Sequence, residues 1–420
     1  MANRHRTAPH HCRCQRSPDR FDVPVKPPTP CDSAFDRTWE VAKLFLRLGA
    51  TAFGGPAAHI ALIEEEVVRR RQWLTRDEFL DLLGATNLIP GPNSTELAIH
   101  IGHRRAGTPG LIAAGVAFIL PAFIMVTALG WGYVRFGRLP KVEALFLGVK
   151  PVIVAIIAQA LVSLARSAVK DRRLAVVGVV STAFGILGLH ELAILFGAGI
   201  VTTAFALMRG RRTSGPIPPS SLQGPILPFS AAAPALVPAG VVGSAAFGLG
   251  PLFLFFLKVG SVLFGSGYVL FAFLRADLVD RWHWLTETQL VDAIAAGQLT
   301  PGPVFTAATF IGYLLGGFPG ALVATVGIFL PAFVFVALSG PLVPRIRASP
   351  AAGAFLDGLN VASLALMSVV TLQLARLALV SLPTLLLALV SGVLLIRYRL
   401  NSTYLLLAGA CLGLLLGPGF

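Results

Sequence analysis

Long apolar stretches alternate with short charged connections over most of this chain, and their length is that of membrane-spanning helices. About 20 apolar residues in a helix cross the roughly 30 Å hydrocarbon core of a bilayer. The stretches lie near residues 110–134, 142–164, 173–189 and 191–208, and again near 320–340, 352–375, 377–396 and 402–418. The pattern predicts an all-α polytopic membrane protein.

Two further apolar stretches are each interrupted by the same motif, Pro90-Gly91-Pro92 and Pro301-Gly302-Pro303. Proline has no amide N–H, so each break leaves backbone groups without helical partners. In a bilayer such groups must face protein or a watery cavity. A matched pair of breaks in two halves of a chain is typical of a transport site.

A helix is predicted to begin at the same place before each break, because Thr75-Arg76-Asp77-Glu78 and Thr286-Glu287-Thr288-Gln289 both have the form of a capping box. From Arg76 to Ile89 the helix would be roughly 21 Å long, too short to cross the membrane. The sequence therefore predicts broken or re-entrant helices. A re-entrant hairpin and a kinked crossing helix both fit.

The chain repeats itself at a shift of 211 residues, the separation of Pro90 and Pro301. After a one-residue gap the shift becomes 210. The paired segments include Phe45–Gly49 with Phe256–Gly260, Trp73–Thr75 with Trp284–Thr286, and Leu120–Phe123 with Leu330–Phe333. Two homologous helical repeats are predicted, with about 10 to 13 crossings in total. The loop charges do not orient them, and we expect inverted repeats because broken helices meeting at mid-membrane are typical of that architecture.

The repeat sets the predicted domains. Residues 1–37 form a disordered basic tail, 38–209 the first repeat, 210–250 a linker that is long enough to contain one span, and 251–420 the second repeat.

Composition agrees with a membrane protein: 55% of residues are hydrophobic and 13% are charged, against about 25% charged in soluble domains. The net charge of +14 comes from loop and tail residues, so a lipid bilayer rather than a nucleic acid is the expected partner. The four cysteines suggest no disulfide framework, and His10–Cys14 is more typical of a disordered tail than of a metal site. No enzyme signature stands out, and we expect no cofactor, no metal and no catalytic residues.

Arg47 and Lys258 occupy the same repeat position inside apolar segments. A cation within a membrane bundle normally needs a partner. No repeated carboxylate lies in the same segments, so an anionic substrate is a candidate, and two cations would suit a divalent oxyanion. The alternative is that both side chains snorkel to an interface.

Glycine-rich breaks follow each cation, with Gly54 and Gly55 in the first half and Gly265, Ser266 and Gly267 in the second. Without a Cβ atom, backbone N–H groups can approach a ligand closely. The alternative is close packing of helices.

Polar side chains flank both proline motifs at equivalent positions: Asn87 with Gln298, and Thr95 with Thr306. These neutral groups could bind oxyanion oxygens. Equally, they could satisfy the backbone groups that the prolines leave free.

The first break also has an acid, Glu96, where the second has Ala307. Asn93–Glu96 has the form of a capping box, which gives Glu96 a structural role. The other hypothesis is that Glu96 and His100, one turn later, take up a proton and couple it to anion movement. Asp81 and Asp292 also repeat, as candidate partners of loop arginines or of Arg47 and Lys258.

These motifs in combination resemble the chromate ion transporter family over nearly the whole chain, from about residue 38 to 418. The segments that carry the resemblance are Phe53–Ile60, Glu65–Glu66, Trp73–Leu74, Asn87–Glu96, Phe264–Val269 and Thr300–Pro303. Ser266 departs from the glycine expected there.

The resemblance implies a multi-pass protein of the prokaryotic inner (cytoplasmic) membrane. Such a protein exports chromate, or a similar tetrahedral oxyanion such as sulfate, and so confers chromate resistance. We expect a secondary transporter working by alternating access, with a homodimer as one possible assembly. The rival hypotheses are a passive anion channel and, less favoured, a membrane-embedded enzyme.

Overall fold

The computed structural model describes residues 33–53, 56–137, 140–213, 247–263, 270–347, 349–398 and 400–417. Within these ranges the chain is helical and contains no β-strand, which confirms the all-α prediction. The helices are α1 Ala34–Thr51, α2 Pro56–Glu64, α3 Arg76–Thr86, α4 Asn93–Phe136, α5 Pro140–Ala168, α6 Arg172–Ile186, α7 Glu191–Thr213, α8 Leu249–Val262, α9 Leu270–Leu274, α10 Glu287–Leu299, α11 Ala307–Arg347, α12 Pro350–Ala378, α13 Leu382–Arg397 and α14 Ser402–Leu416.

Five helical segments are long and apolar enough to cross a membrane, and three more apolar helices are shorter. The long segments are Asn93–Phe136, Ala144–Arg166, Glu191–Met208, Val304–Ser339 and Pro350–Ala378. The total number of crossings stays a prediction.

The short helices before the two breaks begin where the capping boxes predict. The Thr75 hydroxyl accepts from the Glu78 amide, and the Glu78 carboxylate accepts from the Thr75 amide at 3.0 Å. Thr286 and Gln289 make the same reciprocal pair at the start of α10. Both boxes are confirmed, and each fixes the start of a helix that ends at a proline break.

The charged segment that follows α2 is helical. Glu65–Arg70 forms a π-helix, and Arg275–Arg281 forms another after α9. In the first, Glu65 pairs with Arg69 at 3.5 Å and Glu66 with Arg70 at 3.0 Å. Pairs at this spacing support a helix.

Each π-helix is followed by a non-glycine residue with a positive φ angle. Gln72 has φ of 54° and His283 has φ of 53°, and the two positions are equivalent in the repeat. This conformation is strained for a residue with a Cβ atom. Both halves thus contain the same strained backbone turn.

Helix α4 folds back on itself at Ala106–Gly107, where the backbone leaves helical geometry. Gly102 lies against the Gly110 carbonyl, and a Cβ atom on Gly115 would meet Ile99 at 2.9 Å. In a straight helix residues 8 and 16 apart would be roughly 12 and 24 Å apart, so the two segments must run antiparallel. Helix α11 does the same at Gly316–Gly317.

The reversal settles how the first proline break is arranged. Arg104, at the end of the first α4 segment, pairs with Glu78 at the start of α3, at 3.2 Å. Two short helices whose outer ends meet in this way form a hairpin with the proline motif at its tip. The re-entrant alternative is therefore the observed one in the first half. The Thr75 amide, and then the Arg104 guanidinium, lower the pKa of Glu78.

The two halves pack through each other's helices in a reciprocal way. Helix α5 lies against α14 where Gly148 meets the Gly409 carbonyl, and α12 lies against α7 where Gly358 meets Ala198. Helices α5 and α12 are repeat equivalents. Small residues allow this close approach, which is how helices associate in a membrane.

Candidate anion-binding site

The two proline breaks dock onto each other's halves by backbone hydrogen bonds. The Gly91 N–H donates to the Leu263 carbonyl at 2.8 Å, and the Gly302 N–H donates to the Ala52 carbonyl at 3.0 Å. Both donors and both acceptors are repeat equivalents. Each carbonyl directly follows a helix, α8 or α1, and so lies at the start of a glycine-rich break. Each proline tip therefore meets the helix end that precedes the glycine-rich motif of the other half.

Glycine is required at both tips. Gly91 has φ of 141° and Gly302 has φ of 98°, a region that residues with a Cβ atom rarely adopt. A Cβ on Gly302 would lie 2.8 Å from that of Ala122, and one on Gly91 would collide with the Glu96 carboxylate. The flanking prolines, Pro90, Pro92, Pro301 and Pro303, are buried.

Glu96 lies in the interior beside the first tip. The side chain is fully buried, and neither carboxylate oxygen has a hydrogen-bond partner in the described part of the chain. The helix begins at Pro92, without a side-chain cap, so the capping-box interpretation of Asn93–Glu96 is wrong. Burying a carboxyl group unpaired is costly, which makes Glu96 a functional candidate.

Two neighbours of Glu96 are also buried with polar atoms unsatisfied among the described residues. They are the Thr95 hydroxyl and Nε2 of His100. Such groups usually find protein or water partners. Together with Glu96, they place unsatisfied polar groups on one short stretch of α4 next to the first tip.

The polar side chains that flank the two proline motifs make different contacts in the two halves. The Thr306 hydroxyl donates to the Pro303 carbonyl at 2.8 Å, so it satisfies the backbone, whereas Thr95 does not. Asn87 donates to the Leu83 carbonyl at 3.2 Å and accepts from Asn93 at 2.8 Å, which is a turn-stabilising role. Nε2 of Gln298 has no partner within the described ranges.

His59 is a buried member of the site that the sequence analysis did not single out. Its Nε2–H donates to the Ala52 carbonyl at 3.0 Å, and Nδ1 lies 3.3 Å from the Ser94 hydroxyl. The Ala52 carbonyl thus accepts from both His59 and Gly302. The equivalent residue in the second half is Leu270, so comparison of the repeats could have found His59 as a difference.

Arg47 and Lys258 both have carboxylate partners. Arg47 pairs with Glu66 at 2.5 Å, and Lys258 pairs with Asp277 at 2.5 Å. The two acids are 211 residues apart and nearly buried, at 7% and 2% exposure. They were not predicted, because the repeated acids considered on other helices were Asp81 and Asp292. Each cation therefore already has a carboxylate partner, and neither needs an anionic substrate to balance its charge.

Further arginines surround the same acids. Arg70 lies 3.0 Å and Arg71 3.6 Å from Glu66, and Arg281 lies 2.6 Å from Asp277. The Arg47 side chain is 53% exposed. We call these groups the rim clusters: Glu66 with Arg47, Arg70 and Arg71, and Asp277 with Lys258 and Arg281. Arg70 also pairs with Glu65, and Arg71 with Glu40.

The glycine-rich residues Gly54, Gly55, Gly265, Ser266 and Gly267 lie outside the described residues. So does the tail with His10–Cys14. Within the described ranges, no group of three or more His, Cys, Asp or Glu side chains is placed to hold a metal ion.

Comparison with known proteins decides the family. The family model described as "Chromate transporter" matches residues 39–203 and again 250–414. This chain belongs to the chromate transporter family. The double match also agrees with two homologous halves.

Several members of the family align with most of the chain. A chromate transport protein of Cupriavidus metallidurans is 36% identical over 375 residues, covering 89% of this chain and 91% of that protein. One of Pseudomonas aeruginosa is 31% identical over 364 residues, covering 86% and 85%. An uncharacterised transporter of Methanocaldococcus jannaschii is 28% identical, covering 89% and 92%. No solved structure matches the chain.

Proposed function

We propose that this member of the chromate transporter family is a secondary transporter that exports chromate, or a related tetrahedral oxyanion such as sulfate, across the cytoplasmic membrane. The names of the relatives from Cupriavidus and Pseudomonas support chromate as substrate. Export would confer chromate resistance. A homodimer remains part of the proposal.

The observation that carries the proposal is the reciprocal docking of Gly91 on Leu263 and of Gly302 on Ala52. Broken helices that meet from two repeats are typical of the substrate sites of transporters. The oxyanion would bind there, with Thr95, Gln298 and the glycine-rich breaks as candidate ligands. Alternating access between inverted repeats would then expose this place to each side in turn.

We assign the rim clusters to attracting the anion towards this place. Arg47 is half exposed, and Glu66 has two further arginines beside it, so these side chains would attract an arriving anion. Arg47 and Lys258 contribute charge in this scheme, as the sequence analysis expects, while remaining close to their carboxylates.

Glu96 is the proposed coupling residue, with His100 one turn away. A charged carboxylate beside Gly91 would repel a divalent anion, whereas the protonated form would not. Anion binding and protonation of Glu96 would thus favour each other. Oxyanion binding should therefore strengthen as the pH falls.

The test is uptake of radiolabelled chromate into everted vesicles, with sulfate, molybdate and phosphate as competitors. Wild type should accumulate chromate, and an Arg47→Ala/Lys258→Ala variant should be slower by roughly tenfold at low salt, with a smaller difference at high salt. An Arg397→Ala/Lys170→Ala variant removes the same charge from exposed positions outside the rim clusters. Uptake in wild type no greater than in protein-free controls would refute the proposal.

A passive anion channel is the second candidate, because buried unsatisfied polar groups beside broken helices also suit a pore. A channel would give a reversal potential set by the anion gradient alone and indifferent to pH. Unchanged chromate among the products would separate either transport function from a reductase.

A further inference from the structure

A buried charged cluster joins the two halves away from the rim. Nζ of Lys150 lies 3.0 Å from Oδ1 of Asp292, with side chains 16% and 5% exposed. The Tyr133 hydroxyl donates to Oδ2 of the same carboxylate at 2.8 Å. Lys150 and Tyr133 belong to α5 and α4, both within membrane-spanning segments. The expectation that Asp292 pairs with a loop arginine or with Lys258 is not what the structure shows for this contact.

The surroundings make the pair unusual. On α10, the neighbours Val291, Ala293, Ala295 and Ala296 are buried and apolar. Replacing a buried ion pair by apolar side chains is often neutral or stabilising, so stability alone does not explain its presence. An ionisable residue inside a membrane segment is by default a candidate for function.

Repeat symmetry does not explain the cluster either. The residue equivalent to Lys150 is Asn360, and the residue equivalent to Asp292 is Asp81, which is exposed. The cluster is therefore built once, in contrast to the rim clusters, which are built twice. The packing that the two halves have in common therefore does not require the Lys150–Asp292 pair.

The position of Asp292 connects the cluster to the candidate site. Asp292 lies on α10, the short helix that leads into Pro301–Pro303, while Lys150 and Tyr133 come from the other half. The contact thus holds the broken helix of the second repeat against the first repeat. Separating Lys150 from Asp292 therefore removes one of the polar contacts that hold that helix in place, the other being the Tyr133 hydrogen bond.

We propose that Lys150 binds the transported oxyanion at a second place on its path, roughly 10 Å along α10 from the end that leads to the proline tip, and that Asp292 occupies the place of the anion when this site is empty. The inference rests on the transport function proposed above. Entry of the anion exchanges a Lys150–carboxylate contact for a Lys150–oxyanion contact. Repulsion between the anion and Asp292 then separates α10 from α5.

The exchange explains why an acid is kept beside the cation. A lysine left bare in this interior would be strongly disfavoured. With Asp292 in place, Lys150 is paired both before and after loading, and only the intermediate with neither partner is costly. Tyr133 keeps a hydrogen bond available to Asp292 when the lysine turns to the anion.

Lys150 is better suited to this role than the two cations singled out in the sequence analysis. Arg47 is half exposed, and Lys258 shares Asp277 with Arg281. Lys150 lies inside the apolar helix α5, which begins at Pro140, and it directly precedes Pro151.

The test compares four forms of the full-length protein in proteoliposomes: wild type, Asp292→Asn, Lys150→Met, and the double variant. Binding of radiolabelled chromate and of sulfate is measured at equilibrium, and flux is measured separately. Asp292→Asn removes the competing carboxylate and should bind the anion several-fold more tightly. Lys150→Met and the double variant should lose on the order of tenfold or more in affinity.

The double variant keeps the test valid if Lys150→Met fails to fold, since it leaves no unpaired buried charge. Lys170→Met/Asp357→Asn, which removes an exposed ion pair of 2.7 Å, is the matched control and should behave as wild type. If the double variant binds and transports like wild type, or if Asp292→Asn binds no more tightly, the pair is a structural tie and the inference is overturned. Failure of wild type to bind any oxyanion would instead overturn the proposed function.

Discussion

In the first proline break the tip is followed by a buried carboxylate, Glu96, whereas in the second break Ala307 stands at that position. The acids on the preceding helices differ in the opposite sense: Asp81 is exposed, and Asp292 is buried against Lys150. The backbone contacts of the two tips are nonetheless the same, from Gly91 to Leu263 and from Gly302 to Ala52.

This contrast separates what holds the site together from what gives it chemistry. Contacts that depend on the backbone are duplicated, because both repeats must close against each other. The buried charged groups differ between the halves. Glu96 lies beside the first tip, and the Lys150–Asp292 pair lies on the helix that leads to the second tip. Two halves of one ancestral unit can thus perform different tasks within one site.

The largest loss of transport is expected from changes at Gly91 and Gly302, whose backbone contacts are the same in both halves. Gly91→Ala and Gly302→Ala should each abolish transport, because strain at a positive φ costs about 1–3 kcal/mol and the added methyl also meets Glu96 or Ala122. Flux in vesicles at matched protein level is the measurement.

Gly188→Ala is the control for those variants. Gly188 has φ of 76° and open space around it, so the substitution brings backbone strain without a collision. If Gly188→Ala is as inactive as the other two at equal expression, the docking of the tips is not what transport requires.

A smaller effect, visible chiefly as a changed pH profile, is expected from altering the acid. Glu96→Gln resembles the protonated carboxyl, so sulfate affinity should become nearly independent of pH while transport is slowed. Sulfate stays divalent over the range used, which removes titration of the anion from the comparison.

The converse variant, Ala307→Glu, makes the two tips alike by placing an acid beside the second. It should weaken anion binding, most at high pH where a carboxylate is charged. An unaltered pH dependence in Glu96→Gln would exclude Glu96 as the coupling group.

The smallest effect concerns the strained turns after the π-helices. Gln72→Gly should raise stability by about 0.5 kcal/mol, since relief of the left-handed strain exceeds the added chain entropy of glycine. His283→Gly should gain less, because His283 also bonds the Val279 carbonyl at 2.7 Å. Thermal unfolding in detergent measures both, with Gln72→Ala as control, and equal shifts in the two halves would show that this bond contributes nothing.

The sequence predicted the parts of the fold that depend on local signals. Capping boxes located α3 and α10, and apolar length located α5 and α12. The π-helix after α2 was not predicted, although its acids and arginines stabilise it through contacts between successive turns.

The site was only partly predictable. The proline motifs and Glu96 were visible because they are local or because they break the repeat. The partners of Arg47 and Lys258 were not found, although Glu66 and Asp277 repeat at the same shift, because the contact joins different helices. Lys150 escaped for the same reason: its importance comes from Asp292, which is distant in sequence.

The crossed hydrogen bonds at the two tips have a consequence for ancestry. A gene encoding one repeat alone would make a chain whose Gly91-type donor and Ala52-type acceptor both lack a counterpart within that chain. Such a product could complete the pairs only by joining a second copy or a sister chain in reciprocal fashion. Fusion of two such genes would then have freed each copy to lose or gain charges independently.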